Sequence, residues 1–402
     1  MRALERVEVL EALAASTGAS LESNRVIRVE AAGETFTTGH EVDFRMPGGS
    51  VERHTVFLDG KGTDRPGVLG LRSEDGEQLA AWIYPADPAL PALAAAVYPH
   101  SAAILLGRLG LDAQDLGLEV LSYRPGKRAV IRTTTATRTL YLKVVRPRLV
   151  ENLVSTHTQW LAAGIRVPSV IAWSPDGLIA LDELPGTEAS ALIGSGLIDD
   201  SSGFLAELSD LRDRIATVPS TRDARASLAS RLRWYGRRMT QLIPTDAKRV
   251  AGLTRGIQSM LDAAAGPSIT VTIHGDFHLG QIFVDSPESS KIVGVLDIDT
   301  AGLGDPADDA AALWAHLITS AALFEHRGNA HASATARTLA ASLRSTWDLS
   351  KTAPLDPAHR TRTVAIAATH LLGHALSGIL SPAAALELAE ALVKDEKALT
   401  AL

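Results

Sequence analysis

The sequence predicts a mixed α+β protein, and three features of its 402 residues carry that prediction. Extended runs separated by Gly/Pro turns dominate as far as residue 186. Leu- and Ala-rich segments with helical spacing fill most of the remainder. One strand-rich island, residues 269–299, interrupts them. The pattern breaks divide the chain into 1–110, 111–186 and 187–402, in keeping with roughly 100–200 residues per domain. Hydrophobic content of 46% and charged content of 21% are those of a globular chain.

Composition then excludes several function classes. The 39 basic and 46 acidic residues give −7, so nucleic acid is not an expected partner. There is no cysteine, which removes disulfides, thiolate metal sites and thiol nucleophiles. Met1–Gly18 mixes acids among its apolar residues and does not read as a signal peptide. Eighteen consecutive apolar residues occur nowhere, so no membrane helix is expected. A cytoplasmic location is the resulting expectation.

Each element can be justified in turn. Leu4, Val7, Leu10 and Leu13 recur at helical spacing and predict a first helix. Strands follow at Asn24–Ala31 and Val51–Leu58, with turns at Met46–Ser50 and Ser73–Gly76. Asp87-Pro88-Ala89-Leu90-Pro91 opens an Ala-rich helix near Leu93–Tyr98. Next comes a three-strand meander: Leu118–Tyr123, the basic loop Arg124-Pro125-Gly126-Lys127-Arg128, Ala129–Thr135, a turn, and Thr139–Val145. A helix at Leu149–Ala163 and strands at Val167–Trp173 and Gly177–Leu184 complete this unit at Pro185-Gly186.

The island 269–299 carries the chemistry. Ile269–Ile273 runs into His274-Gly275-Asp276-Phe277-His278-Leu279-Gly280-Gln281. Strands Ile282–Val284 and Ile292–Leu296 flank a turn at Asp285–Lys291. Folded as a hairpin, they bring Gln281 and Asp297 together at its open end, with Asp276 overlooking the same place. Two carboxylates and an amide oxygen suit Mg²⁺, a hard cation that shares its shell with substrate phosphates. One carboxylate remains free to accept a proton from an attacking hydroxyl, which is most of what phosphoryl transfer asks of a protein.

His-Gly-Asp-Phe-His-Leu-Gly-Gln, followed by Val-Leu-Asp-Ile-Asp-Thr-Ala-Gly-Leu-Gly-Asp-Pro, resembles the aminoglycoside phosphotransferase/choline kinase-like superfamily. The family motifs are H-G-D-x-H-x-x-N, then I-D-(aromatic)-(acid), then G-D-P-x-x-D. The resemblance implies a bilobal protein-kinase-like fold here carrying an additional N-terminal cap domain: cap 1–110, N-lobe 111–186, helical C-lobe 187–402 with the catalytic hairpin at 269–299. It implies ATP and Mg²⁺ as cofactors, Asp276 as catalytic base, and Gln281 and Asp297 as metal ligands. Lys143, in the third strand of the meander, would contact the nucleotide phosphates, with Arg124 and Lys127 of the preceding loop also binding the nucleotide. That loop has a single glycine and departs from a Gly-rich loop. Asp182-Glu183-Leu184 resembles the hinge that takes the adenine edge. Glu151 is the acid available in the following helix to pair with Lys143.

The version His-Leu-Gly-Gln, together with a cap domain, is similar to bacterial maltokinases and glucosamine kinases. It implies a sugar or amino sugar as the small, polar, hydroxyl-bearing acceptor. The segment Asp-Ile-Asp-Thr-Ala-Gly-Leu-Gly-Asp-Pro resembles antibiotic kinases instead, so an aminoglycoside or macrolide is the alternative. A pseudokinase-like binding protein is the alternative of another class, kept open by Gln281 in place of Asn. His278, Asp299, Trp314 and Glu325 are candidate acceptor contacts, as is His316.

Other groups have local explanations. Asp305-Pro306 reads as an N-cap followed by proline at the first helical position, with Asp308 and Asp309 in the first turn. His370 and His374 sit four apart on a helix, but no third ligand accompanies them, and packing is the expectation. Arg231, Arg233, Arg237 and Arg238 form a solvated helix face.

Overall fold

The computed structural model describes residues 3–32, 35–60, 69–72, 78–111, 113–195, 201–265, 269–286, 291–346 and 358–394. The turn expected at Ser73–Gly76 lies outside them, as does the centre of the Asp285–Lys291 turn. The chain divides into two compact units. One comprises Met1–Val154 with Ser169–Glu183, the other Ser155–Pro168 with Leu184–Leu402. The second division falls between Glu183 and Leu184, inside the segment expected to be a hinge.

The first unit opens with helix α1 (Ala3–Ser16) and strands β1 (Ser20–Ala32), β2 (Thr35–Arg45), β3 (Val51–Asp59), β4 (Leu69–Arg72) and β5 (Gln78–Ile83). These strands form an antiparallel sheet of order β1-β2-β3-β5-β4. Leu10, Leu13 and Ala14 pack from α1 onto Val42 and Phe44 of β2 and Val56 and Leu58 of β3. Val42/Phe44 and Val56/Leu58 each sit two apart, so the pleat turns both pairs to one face. Helices α2 (Leu93–Val97) and α3 (Pro99–Arg108) follow.

The meander comes next as β6 (Gly117–Arg124), β7 (Arg128–Thr134) and β8 (Thr139–Val145), then helix α4 (Val150–Ala162), β9 (Val170–Ser174) and β10 (Leu178–Asp182). Their order is β6-β7-β8-β10-β9. Strand β10 therefore inserts between β8 and β9, which makes β8 central rather than an edge. Its buried run of Leu140, Leu142, Val144 and Val145 reflects that position. Leu93, Ala96 and Leu106 cover this sheet's apolar face.

The second unit starts with β11 (Thr187–Glu188) and helices α5 (Ala189–Ser195), α6 (Ser201–Ala216), α7 (Leu232–Leu242) and α8 (Ala247–Ala263). Strands β12 (Val271–Ile273), β13 (Ile282–Val284), β14 (Ile292–Val295) and β15 (Gly302–Gly304) follow, then helices α9 (Pro306–His326), α10 (Ala330–Thr346), α11 (His359–Leu376) and α12 (Pro382–Lys394). The expected hairpin is present as antiparallel β13 and β14, extended by β11. Strand β12 does not join them; it pairs with β15, which the sequence reading did not anticipate. One apolar core unites α6 to α12 with the hairpin. No helix among the described residues is long and apolar enough to cross a membrane.

Candidate active site

The loop His274–Gln281 is fixed by its own unit. His274 is fully buried. Its Nδ1 accepts from the Asp276 N–H at 3.3 Å, so its Nε2–H donates to the Leu296 carbonyl at 2.8 Å. Trp160 and Phe277 meet its ring edge-on. Burial holds this imidazole below its ordinary pKa, in the neutral form those two bonds require. The structural role expected of His274 is what these contacts describe.

Asp309 is the brace beneath. Its carboxylate accepts the His274 N–H at 2.7 Å and the Gly275 N–H at 2.8 Å. Burial outweighs these bonds and raises its pKa to about 6. Asp308 is raised to about 7, again chiefly by burial. Asp305 caps α9 through the Ala307 N–H at 2.9 Å, with Pro306 at the first position, as expected. Gly275 needs its glycine: φ is +79°, and a Cβ would lie 2.5 Å from the Thr300 carbonyl.

The metal-ligand candidates meet across the hairpin. Ile282 pairs with Val295, and the Leu296 N–H donates to the Gln281 carbonyl at 2.7 Å, so Gln281 and Asp297 flank one end. Asp297 adopts a left-handed backbone at φ 51°, ψ 49°. That conformation is uncommon outside glycine and is concentrated at functional sites. The Gly280 N–H donates to His278 Nδ1 at 3.1 Å, so a neutral ring must carry its proton on Nε2. Nε2 lies 3.2 Å from the Gln281 amide nitrogen. Burial holds His278 below its ordinary pKa, consistent with that neutral ring. The Gln281 amide oxygen and the Asp297 carboxylate are hard oxygen donors of the kind that fit Mg²⁺.

Arg225 is a residue the sequence reading missed. Its Nη2 lies 3.1 Å from Asp276 Oδ1, with both side chains 30% exposed. A ring stack was also missed: His278 on His316 at 4.2 Å, then His374 at 4.6 Å from His316. His374 Nδ1 bonds the Thr319 hydroxyl at 2.7 Å, and His370 lies 6.3 Å from His374. Burial lowers all of them, His370 to about 3 and His374 to about 4.

Two acceptor candidates need correction. Trp314 is 5% exposed within the apolar core, where a large ring removes the most surface from water. Glu325 pairs with Arg337 at 2.5 Å in an exposed position. It lies sixteen residues (325 − 309) beyond Asp309 on α9, which at 1.5 Å per residue is about 24 Å from the loop. The residues of α9 that reach the loop are Asp309, beneath His274 and Gly275, and His316, stacked on His278. Asp299 sits in the turn after Asp297, half-buried, its carbonyl accepting from Arg222 Nη2 at 2.7 Å.

The first unit holds the remaining candidates except Leu184, which belongs to the second. Lys143 is buried at 6% on central β8, so it is no edge-strand lysine. Glu151 is exposed in the first turn of α4. Arg124 is exposed at the end of β6, and Lys127 forms a 3.1 Å ion pair with Glu30. The loop between them is a tight turn, Lys127 N–H to Arg124 carbonyl at 2.9 Å, with Gly126 at φ +66°. Asp87 grips it: its carboxylate accepts from the Gly126 N–H at 2.6 Å, the Tyr123 hydroxyl at 2.8 Å and the Ala89 N–H at 2.8 Å. Asp182 ends β10, its N–H bonded to the Ser169 carbonyl. Exposed Glu183 accepts from the Tyr141 hydroxyl at 3.2 Å, while Leu184 is buried against Gly294.

The class of protein is now defined: an α+β fold whose loop His274–Gln281 and hairpin carry Asp276, Gln281 and Asp297. The pattern of the phosphotransferase enzyme family matches residues 126–355, more than half of the chain, and the chain belongs to that family. The matched span starts at Gly126 and leaves the N-terminal sheet outside it. No curated protein matches. Among solved structures, the chain is similar to a macrolide 2'-phosphotransferase from Brachybacterium faecium, at 19% identity over 73% of this chain and 97% of that one, TM-score 0.41. It is also similar to a putative aminoglycoside phosphotransferase from Ralstonia eutropha, at 13% identity over 74% and 96%, TM-score 0.49. A third is the aminoglycoside phosphotransferase APH(3'')-Id from Streptomyces rimosus in complex with ADP and streptomycin, at 19% identity over 67% and 99%, TM-score 0.45.

Proposed function

We propose that this phosphotransferase moves the γ-phosphoryl group of ATP to a hydroxyl of a sugar or amino sugar. The observations that support the reading are Gln281 and Asp297 flanking one end of the hairpin and the carboxylates of Asp276 and Asp297 both acting on His278. Asp276 accepts the hydroxyl proton through the carboxylate oxygen that Arg225 leaves open. Gln281 and Asp297 would hold Mg²⁺, which when bound neutralises charge on the β- and γ-phosphates. Lys143 contributes a cation to the nucleotide phosphates, and the backbone at Asp182–Leu184 takes the adenine edge. Little covalent work falls to the protein, so positioning and charge stabilisation supply the rate.

The charges beside Asp276 favour a sugar over a polycation. Arg225 is a fixed positive neighbour, and the stacked histidines are held neutral by burial. The carboxylates of Asp308 and Asp309 are buried, and Glu188 is tied to the Ser190 hydroxyl. The antibiotic reading rests on the Asp297–Pro306 segment, which resembles antibiotic kinases. ATP consumption against a panel of sugars, amino sugars, aminoglycosides and macrolides decides between them. Asp276→Asn should lower turnover by about 10²–10⁴-fold, the usual range for a lost general base. ATP binding by titration calorimetry should persist; normal turnover in this variant refutes the assignment.

A further inference from the structure

We propose that Arg225 is a positioning residue for phosphoryl transfer, holding one oxygen of Asp276 so that the other meets the acceptor. This rests on the reading of Asp276 as the base. Arg225 lies outside the helices and strands, between α6 and α7, yet its place is built with care. Its N–H donates to the Thr300 carbonyl at 2.9 Å. The Ala224 N–H donates to the Leu303 carbonyl at 2.9 Å, and the Leu303 N–H to the Arg222 carbonyl at 2.8 Å. Asp223 bridges Leu303 in parallel, so this segment acts as a short strand laid along β15. Arg222 adds two side-chain bonds, Nε to the Ala301 carbonyl at 2.8 Å and Nη2 to the Asp299 carbonyl at 2.7 Å. Gly302 permits the approach, because a Cβ there would lie 2.6 Å from the Asp223–Ala224 peptide.

The same short stretch touches the catalytic loop from the other side: the Thr300 hydroxyl donates to the His274 carbonyl at 3.0 Å. Residues 298–304 are thus a splint with the loop on one side and Arg222–Arg225 on the other. An ion pair with both partners 30% exposed adds little to folding. Aiming a carboxylate is a different matter, since a small misplacement of a catalytic group lowers rate steeply. The guanidinium donates to Oδ1 and leaves Oδ2 for the hydroxyl proton.

The test uses the full-length chain with ATP and Mg²⁺, reading phosphate release to water without any acceptor, so the acceptor's identity is not needed. Arg225→Ala should lower kcat at least tenfold with the KM for ATP within twofold of the parent. Its melting temperature should stay within about 2 °C. Arg225→Lys should recover activity to within about threefold, and millimolar guanidinium should partly rescue the alanine variant. A kcat within twofold of the parent overturns the proposal. So does a loss that neither lysine nor guanidinium restores and that comes with a lower melting temperature, since this marks a structural role alone. The two failures separate: ATP turnover retained in Asp276→Asn refutes the base, whereas normal Arg225→Ala refutes only its positioning.

Discussion

The two loops assigned to phosphate chemistry are held in opposite ways. The loop proposed as catalytic, His274 to Gln281, is braced by its own unit from both sides, with Asp309 below and the 298–304 stretch alongside. The hairpin turn Arg124–Arg128 is gripped by residues far off in sequence, Asp87 and Glu30. One is part of a folded core; the other is a half-buried turn tethered by carboxylates. Chemistry that must aim a proton acceptor uses the first arrangement, while a turn that needs only an outside hold can use the second.

The largest expected effect is on the catalytic side. Gly275→Ala puts a Cβ against the Thr300 carbonyl at a left-handed backbone position. It should lower turnover by at least 10²-fold and destabilise the chain by about 2–4 kcal/mol. Steady-state kinetics and urea unfolding check both. An unimpaired variant would break the contrast by showing that this loop yields.

Asp87→Ala should have an intermediate effect. It removes the acceptor of the half-buried Tyr123 hydroxyl and of the Gly126 N–H, at about 1–3 kcal/mol for each lost partner. Nucleotide affinity should fall, while amide exchange at Asp276 stays unchanged. Faster exchange at Asp276 would contradict the independence of the two loops.

The smallest effect is on pH dependence. His370 at about 3 and His374 at about 4 are protonated more readily in the unfolded chain, so their contribution to stability grows as pH rises toward 6.5. Asp308 at about 7 and Asp309 at about 6 act in reverse, because the folded state holds their protons. His274, His278 and His316 are lowered as well, which tips the sum. The melting temperature should therefore rise from pH 4.5 to 6.5, and His370→Phe should flatten the rise. An unchanged slope would remove His370 from that account.

Much of this was legible from local pattern. Asp276, Gln281 and Asp297 lie within one short island, so a hairpin suffices to gather them. The cap at Asp305 and Lys143 in a third strand are likewise local readings. Arg225 was not legible, because 51 residues separate it from Asp276 and no periodicity marks its segment. The one available signal was Gly302 and Gly304, whose missing side chains make room for another backbone. On α9 the rotation was misjudged: Asp309 and His316 are seven apart and share a face, whereas Trp314 turns into the core. The insertion of β10 between β8 and β9 could not be read, since strand order in a sheet is a long-range fact.

The grip on Gly126 has a consequence for how such a protein can change over generations. The family pattern begins at Gly126, yet the carboxylates that hold Gly126 and Lys127 belong to the part before it. A recombination that replaced everything up to residue 90 would discard Asp87 and Glu30 while keeping the turn they secure. The hold on that turn therefore depends on both segments staying in one chain, as a lock and its hasp.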